Sequence, residues 1–225
     1  MTRTTNLVDN RHLLLVILIG PFYLNDLANI YITDWRWWLF IDYTFVKLLP
    51  LSLLAFLLYT RRLRSQDIGL TNRGLAQMFV VFLTVTIIAT LVDQNGYALI
   101  ESLPGGILLG GMPPIESRTW DWIDLTLGLL LVGIVEELVF RGYLSHYLYG
   151  FTRKPAFIVI VSSLAFGLIH WSAGLHAILI TTVIGAIFML AFLYARVLPP
   201  IMLAHFAVNF IDFAGVIPKS IFKFT

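Results

Sequence analysis

The chain has 225 residues, 59% of them hydrophobic and 12% charged, with a mean hydropathy of +0.86. So apolar a composition excludes an ordinary soluble domain and points to an integral membrane protein. No cysteine is present, which removes disulfides, thiolate metal ligands and thiol nucleophiles together. The formal net charge of +2 comes from basic residues spread over short segments, so no nucleic-acid partner is expected.

The first apolar run, 12–33, is interrupted by Pro21, Asn25 and Asp26 and is followed by no small-residue cleavage site. It therefore reads as a retained helix and not as a signal peptide. Further apolar stretches follow at 38–60, 75–92, 123–148, 156–171, 175–195 and 199–217, each near the roughly 20 residues that cross a bilayer. The fold class expected is all-α, a polytopic transmembrane helical bundle of about seven helices, with 1–225 forming a single domain. The longest connection, 93–122, is rich in Gly and Pro; it reads as a solvated loop, with a lid or partly re-entrant segment as the alternative. Asp26, Asp42, Lys47 and Asp212 lie in apolar surroundings at spacings that identify no partner, and are read as hydrogen-bonding inside the bundle or snorkelling at its edge.

Orientation follows from the Lys and Arg of alternate connections. With the N-terminus inside, the inner segments hold Arg3, Arg11, Arg61, Arg62, Arg64, Arg73, Arg153, Lys154 and Arg196, and the outer ones only Arg36, Arg118, Lys219 and Lys223. This bias places the N-terminus in the cytoplasm of a multi-pass protein. Trp35, Trp37, Trp38, Trp120, Trp122 and Trp171 fall at the outer ends of the expected helices, as an interfacial aromatic belt would. The C-terminal PKSIFKFT, with its two lysines outside, is discordant.

Three stretches carry polar chemistry into the apolar background. In GIVEELVFRG, residues 133–142, Glu137 and Arg141 are four apart and share a helix face, whereas Glu136 points about 100° away. Glu137 and Arg141 can neutralise each other inside the bundle. Glu136 has no cation on its own helix and should face a water-filled cavity or another polar helix. In LAFGLIHW, residues 164–171, Phe166 and His170 share a face, and in LAHFAVNF, residues 203–210, His205 and Asn209 do the same. At about 1.5 Å per residue, Glu136 lies roughly 18 Å from the turn at 148, His170 roughly 21 Å from 156, Asn209 roughly 15 Å from 199 and His205 roughly 9 Å. Carboxylate, imidazole and amide thus come to comparable depth on three helices. Each has a packing explanation by itself, including a purely structural Glu137–Arg141 pair, but together they exceed what packing needs. His12, His146 and His176 sit near helix ends and read as interfacial.

A Glu and a His around trapped water suit general-base activation of a hydrolytic nucleophile. A second His with an Asn offers donors for the oxyanion formed when water attacks an amide carbonyl. Other intramembrane protease chemistries have no residues here, because the chain contains no HExxH, no GD pair, no GxSxG and no GxSG.

With EExxxR at Glu136, Glu137 and Arg141, FxxxH at Phe166 and His170, and HxxxN at His205 and Asn209, in order on three hydrophobic segments, the chain resembles the CAAX protease and bacteriocin-processing enzyme family, which includes the Ras-converting CAAX endopeptidase. The resemblance covers 123–217, the motif-bearing core, and an Ile68-Gly69-Leu70 stretch after a basic turn is similar to what such proteins carry upstream. It implies a glutamate-type intramembrane endopeptidase of the bacterial cytoplasmic membrane, without a cofactor, acting on membrane-associated substrates of CAAX-like or leader-peptide type that approach from the membrane or the cytoplasmic side. Within it, Glu136 and His170 activate the water, His205 and Asn209 stabilise the oxyanion, and Glu137, Arg141 and Phe166 support the site. Two other readings stay open: a zinc metalloprotease with Glu136, His170 and His205 as ligands, and a non-catalytic bacteriocin immunity or peptide-binding protein.

Overall fold

The computed structural model describes residues 10–101 and 103–217. Arg3, Lys219 and Lys223, used above for orientation, lie outside the described residues. The described chain is all-helical, with seven continuous helices and no strand: α1 (Arg11–Tyr31), α2 (Trp35–Tyr59), α3 (Leu75–Ile100), α4 (from Arg118 to Tyr149), α5 (Pro155–Leu168), α6 (Gly174–Ala195) and α7 (Pro199–Phe213). Four segments, Arg11–Tyr31, Trp35–Tyr59, Leu75–Ala98 and Trp171–Ala195, are long and apolar enough to cross a membrane, and α5 is a shorter apolar helix.

Local chemistry sets the helix ends. Asn10 caps α1 by accepting from the His12 and Leu13 amides at 3.1 and 3.2 Å, and Asp34 caps α2 through the Arg36 amide at 2.8 Å. Prolines occupy the first turns of α5 and α7, where a missing amide hydrogen costs nothing. Two of the helices are not regular. α2 passes through a π-helical stretch at Asp42–Leu48, and α4 through two, at Asp124–Gly128 and Glu137–Leu144.

Helix α6 packs on α5 and α3, and α7 packs on α3 and α4. The α4–α7 crossing is close because Gly133 has no side chain: a Cβ there would stand 2.7 Å from the Met202 carbonyl oxygen. Small residues at membrane helix contacts serve this purpose. One main core runs from Leu14, Leu18 and Phe22 of α1 through Val139 and Phe140 of α4 to Phe188, Ile201 and Val208.

The two ends of the bundle differ in character. At one end, Arg196 donates to the Tyr149 hydroxyl at 2.6 Å, His12 meets the Tyr147 hydroxyl at 2.6 Å, and the Leu198 amide donates to the Gly69 carbonyl at 2.8 Å. Ile68, Gly69 and Leu70 form the elbow that docks here. Gly69 has φ +75°, and any Cβ would strike the Phe192 ring at 2.3 Å, so no other residue fits without rearrangement.

At the opposite end the segment 103–115 is largely exposed, as a solvated loop would be, but it is also hydrogen-bonded to the helices as a strap. The Leu109 amide donates to Ser172 O at 2.7 Å, the Leu175 amide to Gly105 O at 2.9 Å, and His176 Nε2 meets Leu103 O at 2.8 Å. His176 is therefore a pin for the strap. All six tryptophans lie toward this end, but they do not form a uniform belt. Trp37, Trp120 and Trp122 are exposed, while Trp35 and Trp38 are buried in a small cluster with Ala28 and Leu39. The Trp38 and Trp171 indole N–H groups donate to Asn29 Oδ1 and Tyr23 O at 2.8 and 3.0 Å.

The α4–α7 contact generates a test. Gly133→Ala must push α7 away from α4, and overpacking of this kind costs about 1–3 kcal/mol. The thermal midpoint in detergent should fall clearly below that of the wild type; an unchanged midpoint would mean that the two helices do not meet at this glycine.

Candidate active site

The site is built outward from α4. Glu137 and Arg141, four apart at the start of a π stretch, are both fully buried, with Glu137 Oε1 2.9 Å from Arg141 Nη1. The Arg141 guanidinium carbon lies over aromatic rings, 4.0 Å from the Phe166 centroid and 5.2 Å from that of Phe188, and its Nη2 reaches Gly185 O at 3.4 Å. Buried cations gain from ring faces and carbonyls when water is excluded. Phe166, the first residue of the FxxxH pair, is thus a cation–π partner on α5 and a spacer between the two imidazoles. Its ring centroid is 5.4 Å from that of His170 and 5.8 Å from that of His205.

His205 on α7 stands between the two glutamates. Its Nδ1 is 2.8 Å from Glu137 Oε1, and its Nε2 is 3.7 Å from Glu136 Oε2. An ionised carboxylate only accepts, so the Nδ1–H must donate to Glu137, and a neutral ring then carries its lone pair at Nε2, toward Glu136. Glu136 differs from its neighbour as the 100° step requires: its side chain is 12% exposed and belongs to a cavity wall, whereas that of Glu137 is fully enclosed. His170, just past the end of α5, has Nδ1 3.2 Å from the Phe166 carbonyl.

Glu136, His170, His205 and Asn209 all line one cavity of about 530 Å³, and Phe166 contributes to its wall. Glu137 and Arg141 lie behind that wall. Every residue singled out in the three motifs is accordingly brought to one place, in two layers: four polar groups on the cavity, and an ion pair that holds the arginine and one histidine from the rear. Among the described residues, no three His, Asp or Glu side chains are gathered as ligands would be around a metal ion.

A second polar group on the same cavity escaped the spacing analysis. Lys47 and Asp42 of α2 form a buried ion pair; Lys47 Nζ is also 3.8 Å from Asp124 Oδ1 and 4.1 Å from the Tyr43 ring centroid, and the Tyr43 hydroxyl donates to Asp124 at 2.9 Å. In an α-helix, residues five apart sit about 140° from each other, so Asp42 and Lys47 look unpaired in the sequence. The π stretch at Asp42–Leu48 turns them together, since π geometry bonds i to i+5. Asp26 likewise has partners. It accepts from the Ser172 amide at 2.6 Å and from Asn29 at 3.0 Å, tying α1 to the turn that immediately follows His170. Asp212 accepts from Gln94 at 3.1 Å.

Neither the curated proteins nor the solved structures give a significant match to this chain. The family model for type II CAAX prenyl endopeptidase Rce1-like proteins matches residues 118–211, a segment that opens at the first residue of α4, ends two residues after Asn209 and contains all three motifs. Through that segment, which is less than half of its length, the chain is similar to the Rce1-like CAAX proteases.

Proposed function

We propose that this protein is a glutamate-type intramembrane endopeptidase acting on membrane-associated polypeptides. The observation that carries the reading is the convergence of Glu136, His170, His205 and Asn209, from three helices, on a single cavity in a segment that matches the family model for type II CAAX prenyl endopeptidase Rce1-like proteins. Glu136 takes a proton from a water held with His170, the resulting hydroxide oxygen bonds to the scissile carbonyl carbon, and the oxyanion is met by Asn209 Nδ2 and His205. The tetrahedral intermediate collapses with cleavage of the C–N bond, and the proton held on Glu136 passes to the departing amine. His205 contributes a donor at Nε2 only as imidazolium, because its Nδ1–H is committed to Glu137. Asn209 donates in any state.

Glu136→Gln keeps the size of the side chain and removes the base. Cleavage should fall by at least about 10²–10⁴-fold, the usual contribution of a positioned general base. Comparing the new peptide termini in membranes expressing wild type and Glu136→Gln checks this, with thermal midpoints confirming the fold. Termini that persist unchanged in the variant would remove Glu136 from the reaction, and would leave the peptide-binding reading in its place.

Arg141→Met tests the rear layer. It strands the Glu137 carboxylate without its cation, a change that costs roughly 3–5 kcal/mol in buried pairs. The double variant Glu137→Gln with Arg141→Met should recover part of that loss in the same thermal assay. Purified protein separates the zinc reading: hydrolysis that survives metal stripping by a chelator supports a water activated by Glu136 and His170 without a metal, whereas stoichiometric zinc, with activity lost on stripping and restored on addition, would assign the cavity residues to a metal.

A further inference from the structure

Among the described residues the cavity lies in one half of the bundle, and its lining is exposed at that end. Its lining comes from the second half of α1, the first half of α2, the last turns of α3, the first half of α4, the end of α5, the first half of α6 and the second half of α7. The stretches 48–92, 137–165 and 189–204 contribute nothing to it. Because the helices alternate in direction, all these halves lie toward the same face. That face carries the strap, through Met112 to Ile115, and the acids Asp93, Asp121, Asp124 and Asp212. Met112 and Asp121 are exposed there.

The opposite face holds the basic residues. Arg11 stacks on Phe151 with its guanidinium 4.7 Å from the ring centroid, Arg153 lies 5.8 Å and Arg196 5.1 Å from that of Tyr149, and the exposed Arg61, Arg62, Arg64, Arg73 and Lys154 occupy turns on the same side. Thr71 Oγ1 donates to Arg196 O at 3.0 Å, fastening the basic turn to that side. Among the described residues the cavity face shows only Arg36 and Arg118 in return. A Lys and Arg bias in short connections marks the cytoplasmic side.

We infer that the cavity opens on the non-cytoplasmic face of the membrane, so that the site receives a polypeptide segment held outside the cytoplasm and not one presented from within it. The inference deepens the protease reading and rests on it for the word substrate, but the direction of access depends only on which end bears the cations and which end bears the mouth. It replaces the cytoplasmic approach expected from family resemblance. A cytosolic prenylated C-terminus would meet the basic end, which contributes no described residue to the cavity, while a translocated segment or an anchor in the outer leaflet meets Met112, Asp121 and the cavity beyond.

The chain contains no cysteine, which makes single-cysteine labelling direct. Met112→Cys and Asp121→Cys report on the mouth, and Arg153→Cys on the basic end. With a membrane-impermeant maleimide on intact expressing cells, the first two should label at once and Arg153→Cys only after permeabilisation. Labelling of Arg153→Cys in intact cells, with the mouth positions protected, would overturn the inference whether or not the protein is a protease. A second arm uses a peptide that the detergent-purified protein hydrolyses. Added outside, it should be cut by right-side-out vesicles at least tenfold faster than by inverted ones. Equal or reversed rates would also overturn the inference, whereas failure of hydrolysis by the purified protein, with the labelling as expected, would count against the protease reading and leave the direction of access standing.

Discussion

One carboxylate oxygen organises the site. Glu137 Oε1 is shared by Arg141 on its own helix and His205 on α7, at 2.9 and 2.8 Å. Removing either ion from water costs several kcal/mol, a cost offset only when the partners are well placed. Here the placement recruits four helices: α4 supplies the pair, α5 the Phe166 ring beneath the guanidinium, α6 the Gly185 carbonyl and the Phe188 ring, and α7 the imidazole. The bundle cannot shift one of these helices without unpairing a buried charge. Geometry at the cavity is therefore set from behind it.

The same contact divides labour between adjacent glutamates. Helical rotation sends consecutive side chains in different directions, so Glu137 becomes a structural anion while Glu136, at 12% exposure, faces the cavity. His205 joins the two layers. Its Nδ1–H is fixed by Glu137, which holds the ring plane and the tautomer, and its Nε2 is turned toward Glu136. An Asp- or Glu-oriented imidazole is a common way to present one ring nitrogen in a defined state. In the reaction proposed above, this orientation would make Asn209 the permanent oxyanion donor and His205 a conditional one.

Spacing rules recovered the fold class, the seven helices and every motif residue on the cavity, because i,i+4 pairs are visible wherever a helix is regular. Three features were not fully legible. The Asp42–Lys47 pair was hidden by its spacing of five, which regular helices place on different faces. Asp26 was half hidden: Asn29, three residues on, was open to the spacing rule, but the Ser172 amide leaves no side-chain signature. The strap at 103–115 was hidden because its hold is backbone and imidazole hydrogen bonding, and Gly- and Pro-rich composition describes loops that are pinned as well as those that are not. Trp35 and Trp38 show the converse: residues of the right type at the expected level, serving the core and not the interface.

The π stretches follow the same logic as the charges. They occur in α2 and α4, the helices that contribute Asp42, Lys47, Asp124 and the two glutamates, while α3 and α6 are long and regular and carry none of these charged residues. A π turn weakens backbone hydrogen bonding and is seldom sustained, so three such stretches in two helices require compensation. The compensation is electrostatic. The π register at Asp42–Leu48 brings Lys47 to Asp42, and the charged groups of the other two stretches are paired as well: Asp124 with Lys47 and the Tyr43 hydroxyl, Glu137 with Arg141 and His205. Local helix geometry yields because the alternative is an unpaired charge in hydrocarbon, which costs more than an imperfect turn.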